Sequence, residues 1–182
     1  EAINLFEKAI SLNPSGEYYH AKGTCLRQLF RYTESLENFN LTLKLNSKSE
    51  DSYYLKTLSL VDLELYHEAL QTIEELLNIN SYYKGAMMLK GDILMNLNNF
   101  EIARDIYEHA IEMSENDITL YYKLATSLFK LESYDIAEEL FNYVLIHNPS
   151  YDPCIRYLDE IKILHELDKV IIFYIANGEY RN

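Results

Sequence analysis

The chain has 182 residues, 48% of them hydrophobic and 25% charged, the composition of a packed protein and not of a disordered one. A net charge of −13 argues against a nucleic-acid surface, which needs clustered Lys and Arg, and against docking on anionic lipid; it fits an acidic solvated outer face first, and a partner with basic segments second. Five Gly and three Pro among abundant Leu, Ile, Glu and Lys predict long helices rather than a sandwich or barrel.

Residues 1–15 read as a half unit. Ala2, Phe6, Ala9 and Ile10 share one helical face, and Asn13-Pro14 stops the helix. Residues 16–49 form the first complete unit, a helix A followed by a helix B. Helix A carries Tyr19, Gly23 and Leu26; the corner is Leu29-Phe30-Arg31-Tyr32; Thr33 is the expected N-cap of helix B, which carries Ser35, Phe39, Thr42 and Leu43. Residues 50–83 repeat the arrangement with Tyr53, Thr57 and Leu60, then Leu63 and Tyr66, then Ala69, Ile73, Leu76 and Leu77. Residues 84–117 repeat it with Met87, Gly91 and Leu94, then Leu97 and Phe100, then Ala103, Tyr107, Ala110 and Ile111. Residues 118–151 do so again with Tyr121, Ala125 and Leu128, then Leu131 and Tyr134, then Ala137, Phe141, Val144 and Leu145.

After Tyr151 the pattern fades. Asp152-Pro153 starts a helix, Ile155, Leu158, Ile161, Leu164 and Leu167 mark its apolar face, and Val170, Ile171 and Tyr174 continue it to a stop at Asn177-Gly178. Residues 152–177 are expected to cap the stack as one bent helix or two, and 178–182 to form a tail. A contact of Ile171, Ile172 and Phe173 with a partner is the alternative use of that segment.

In register the units form columns at a 34-residue interval: Leu26, Leu60, Leu94, Leu128; then Leu29, Leu63, Leu97, Leu131; then Tyr32, Tyr66, Phe100, Tyr134; then Ser35, Ala69, Ala103, Ala137. Phe39, Ile73, Tyr107 and Phe141 make a further column, preceded by Phe6. Each column has a task. The small residue admits helix A, the aromatic fills the space between helices, and the Leu residues supply the other half of the contact. Asn13, Asn46, Asn80, Ser114 and Asn148 close helix B, where a residue tolerant of left-handed backbone is favoured.

This period and these columns resemble the tetratricopeptide repeat, over about residues 1–165. Gly23 and Gly91 match the family glycine, while Thr57 and Ala125 depart from it. Tyr19, Tyr53 and Tyr121 stand where the family often has Trp or another aromatic, and Met87 departs. Ser47, Ser81 and Glu115 replace the terminal Pro. The resemblance implies an all-α, right-handed superhelix of helix pairs, a single array over 1–177, whose A helices line a concave groove. The expected groove residues include Asp51, Tyr54, Asp62, Met88, Asp92, Met95, Tyr122, Lys123 and Thr126. Tyr and Met offer adaptable apolar contact, and the three Asp would meet Lys or Arg of a bound peptide.

No catalytic or cofactor motif is present: the five His form no close ligand pair, and no GxSxG, P-loop or GxGxxG occurs. Catalytic, metal and cofactor residues are therefore expected to be none. Glu74-Glu75 and Glu138-Glu139 read as solvated outer faces. Cys25 and Cys154 form no CxxC pair and read as buried thiols of a reducing compartment. No stretch has the ~18 apolar residues of a membrane span, and no signal segment opens the chain. The start at Glu1, in mid-pattern and without Met, suggests a piece of a longer protein.

The function expected is a non-catalytic scaffold that holds a protein or peptide segment in its groove within an intracellular, cytoplasmic assembly. The composition, rich in Asn, Ile, Lys and Tyr, is the bias of A+T-rich coding DNA, and a ciliated source would point to ciliary or cytoskeletal assembly. The alternative is an accessory module of an enzyme such as a glycosyltransferase or phosphatase. Chaperone-binding members of the family clamp a terminal carboxylate with Lys, Asn and Arg. Here those places hold His20, Thr24, Leu55, Gly85 and Leu89, or one unit on Tyr54, Leu58, Leu89, Thr119 and Lys123, and only Lys123 suits.

Overall fold

A computed structural model describes residues 1–114 and 116–176, apart from the side chain of Lys84. Ten α-helices and no strands occur among the described residues. Helix α1 (Ala2–Leu12) precedes four pairs: α2 (Gly16–Gln28) and α3 (Tyr32–Leu45), α4 (Glu50–Asp62) and α5 (Tyr66–Ile79), α6 (Lys84–Asn96) and α7 (Phe100–Glu112), α8 (Ile118–Lys130) and α9 (Tyr134–His147). Helix α10 (Asp152–Ala176) follows. Residues Glu1–Ile106 form one compact unit and the chain from Tyr107 a second, so the division falls within α7.

The corners share one construction. The N–H of Arg31 donates to the carbonyl of Leu26, Leu65 to Leu60, Asn99 to Leu94 and Ser133 to Leu128, at 2.9 or 3.0 Å. Inside each bond, Phe30 donates to Arg27, Glu64 to Val61, Asn98 to Met95 and Glu132 to Phe129. This is the Schellman closure of a helix, which demands a left-handed residue just past the C-cap. Phe30, Glu64, Asn98 and Glu132 accordingly have φ of 59, 59, 58 and 59°. None is Gly, so each bears the cost of a Cβ in that region.

Helix B begins one residue further on. It starts at Tyr32, and Arg31, not Thr33, holds the N-cap position without a side-chain capping bond. Both Arg31 nitrogens instead fork onto Glu34 at 2.6 Å. The Asn column at the other end of helix B also works differently from expectation. Asn46 and Asn80 have φ of −139°, extended rather than left-handed. Their side-chain carbonyls accept from the N–H of Lys48 and Tyr82, two residues on, at 3.2 and 3.1 Å. The column thus supplies Asx turns into the next repeat.

The helix-B packing columns are buried, whereas the corner columns are only partly covered and Leu29 is exposed. Ser35, Ala69, Ala103 and Ala137 are fully covered, as are Phe39, Ile73 and Phe141, with Tyr107 at 1% exposure. In the first unit Leu60, Ala69, Ile73, Leu76, Ala86, Leu89 and Ile93 form a continuous core across α4, α5 and α6. Ala2, expected on the apolar face of the half unit, is exposed, and α1 contains no fully buried residue. Gly23 shows why the family glycine is needed at its position. A Cβ there would lie 2.9 Å from the ring of Phe39, which is buried at 0% exposure and has nowhere to retreat.

Helix α10 is one continuous helix of 25 residues. Advancing the columns by one period explains why it does not turn. Lys162 stands in the Leu128 column, His165 in the Leu131 column, Asp168 in the aromatic column and Ile171 in the small-residue column. No apolar side chain rewards a corner, so the helix propagates. Its first half packs on α9, where Tyr157 stacks on Phe141, and it buries Cys154 and Ile161. Of the expected capping face, Leu158, Ile161 and Leu164 are covered, whereas Ile155 and every residue from Glu166 to Ala176 are exposed. The stop expected at Asn177-Gly178 and the tail 178–182 lie outside the described residues.

Replacing Phe30 or Glu64 by Gly is expected to raise stability by ~1 kcal/mol each, read as a higher urea midpoint. Asn98→Gly should gain less, because Asn tolerates left-handed backbone. Gly23→Ala should instead lower stability by ~1–2 kcal/mol despite the better helix propensity of Ala. Adding Phe39→Ile, the residue paired with Thr57 in the next repeat, should remove most of the Gly23→Ala penalty in a double-mutant cycle.

Candidate functional site

In the first unit the expected residues sit on the A helices. Asp51, Tyr54 and Asp62 follow one stripe of α4, and Met88, Asp92 and Met95 one stripe of α6. The neighbouring A helices α2 and α4 are pinned at both ends. His20 Nδ1 and Ser52 Oγ lie 2.7 Å apart, and Ser52 is 2.8 Å from Ser49 Oγ. Towards the far end Arg27 Nη2 donates to Asp62 Oδ2 at 2.6 Å. Asp62 is thus already neutralised by a cation of its own chain, which the sequence reading did not foresee.

Asp51 is exposed but engaged too. Burial, then the Asp51 charge, raises the Tyr83 phenol above its ordinary value, and the two side chains are hydrogen-bonded. Tyr54 packs its ring on Tyr83, centroids 5.5 Å apart, and joins the rim of the core. Met88, Asp92 and Met95 are half-buried. A cleft of about 520 Å³ opens between α2, α3 and α4, lined by Glu17, His20, Thr42, Asn46, Ser49 and Asp51 among others. Of these, His20 and Asp51 belong to the predicted groove face. Asn46 was expected only to close helix B and Ser49 had no assigned role, and nothing in their spacing marks a lining role.

In the second unit Tyr122, Lys123 and Thr126 lie half-buried on α8. Tyr122 belongs to an aromatic cluster: its ring is 6.2 Å from Phe141, 5.1 Å from Tyr151 and 6.5 Å from Tyr157. Tyr157 stacks on Phe141 at 4.9 Å with planes 5° apart and meets Phe129 edge-on. Burial raises the Tyr157 phenol, while its hydrogen bond with Thr126 pulls the other way. Thr126 also donates to the Tyr122 carbonyl at 2.9 Å. A cleft of about 410 Å³ beside this cluster has Lys130, Arg156 and Glu160 on its lining. Tyr157 and Phe129 escaped the sequence reading because the repeat columns stop before the one and omit the other.

Comparison with known proteins agrees with this geometry. A tetratricopeptide-repeat sequence model matches residues 85–117, and the model of anaphase-promoting complex, cyclosome, subunit 3 matches residues 1–76. No curated protein matches the sequence. Among solved structures, a tetratricopeptide repeat protein from Parabacteroides merdae aligns at 17% identity over 96% of this chain and 70% of its own, with a TM-score of 0.82. MamA from Desulfovibrio magneticus aligns at 15% identity over 89% and 92%, with a TM-score of 0.79. YrrB, described as having an unusual peptide-binding site, aligns at 22% identity over 88% and 84%, with a TM-score of 0.75. Residues 85–117 match the tetratricopeptide repeat by sequence, and the chain has the fold of tetratricopeptide-repeat proteins.

Among the described residues no three His, Cys, Asp or Glu side chains gather as a metal site, and no helix is long and apolar enough to cross a membrane. Burial pushes the Cys154 thiol up to about 11, so it stays protonated and unreactive in the folded chain. The folded value lies above the ordinary 9.0, so this group withdraws stability as pH rises from about 9 to about 11. At pH 8 iodoacetamide is expected to spare Cys154 in the native chain and to alkylate it in urea, as peptide mass mapping would show.

Proposed function

We propose that the chain is a non-catalytic scaffold whose A-helix faces hold a segment of a partner protein. The observation that carries this reading is the pinning of α2 to α4 by His20–Ser52 and Arg27–Asp62, which holds one face rigid beside the half-buried Met88 and Met95 of α6. A rigid face loses little entropy on binding, and Met adapts to varied apolar side chains. Asp51, Tyr54, Asp62 and Asp92 would give that face its polar contacts, and Tyr122, Lys123 and Thr126 would serve a second face on α8. Basic residues of the partner would be drawn by the overall charge of −13, which also disfavours nucleic acid as the ligand.

Two comparisons support this proposal. YrrB is described by its peptide-binding site, and the model matching residues 1–76 takes its name from a subunit of a multi-subunit complex. We accordingly assign the chain to a larger intracellular assembly, with no cofactor. Peptide arrays of apolar segments flanked by Lys or Arg should bind the full chain more tightly than copies flanked by Glu. Met88→Ala with Met95→Ala should weaken that binding ~10-fold with a small change in thermal midpoint. Equal binding of basic and acidic segments, or affinity untouched by the double change, would sink the reading.

A further inference from the structure

We draw no further inference here: the strongest candidate, the exposed apolar strip of Ile163, Leu167 and Val170 on the far half of α10, carries nothing, because Lys162 lines the same depression as Asp159 and Glu166, Glu166 is already paired with Lys169, and nothing in the structure shows what covers the strip.

Discussion

One carbonyl oxygen decides the course of each repeat. Leu26, Leu60, Leu94 and Leu128 bury their side chains while their carbonyls accept the N–H five residues on. The same residue thus anchors helix A and closes it, and the left-handed residue inside the loop reverses the chain towards helix B. The reversal is costly at Phe30, Glu64 and Glu132, and it persists because the packing behind it outweighs a strain of ~1–2 kcal/mol. Helix α10 is the counter-example within the same chain. With Lys162 in the Leu column the corner has no apolar anchor, and the helix continues for 25 residues.

The corner also sets what the faces can do. Once each helix B is folded back, its aromatic column is buried against the A helices, and the A-helix stripes that remain are left half-covered. Those stripes are neither core nor open surface, which suits reversible contact with another chain. The polar bonds between α2 and α4 hold part of this face in place. They also use up Asp62, so the acidic character available to a partner is narrower than the count of carboxylates suggests.

Much of this was legible in the residues themselves. Columns of Leu, small and aromatic residues at a fixed interval can be read without coordinates, because each apolar side chain has one place where it loses water. Side chains whose role depends on an approaching neighbour were not legible. Tyr122 reads as a groove residue from its place on α8, yet its ring sits among Phe141, Tyr151 and Tyr157, two of which lie beyond α9. Asn46 and Asn80 were correctly placed at helix ends, but as extended residues whose side chains build the next turn.

By itself the sequence determined the repeat, its period, the helix pairs and the buried columns, because periodic burial of apolar area is a local pattern repeated along the chain. Tertiary structure alone decided that the corners turn on non-glycine left-handed residues, that Arg27 engages Asp62, and that the far half of α10 stands uncovered. The first depends on helix B packing back onto helix A, and the other two on segments meeting, or failing to meet, a repeat apart. No residue carries that information until its neighbour is in place.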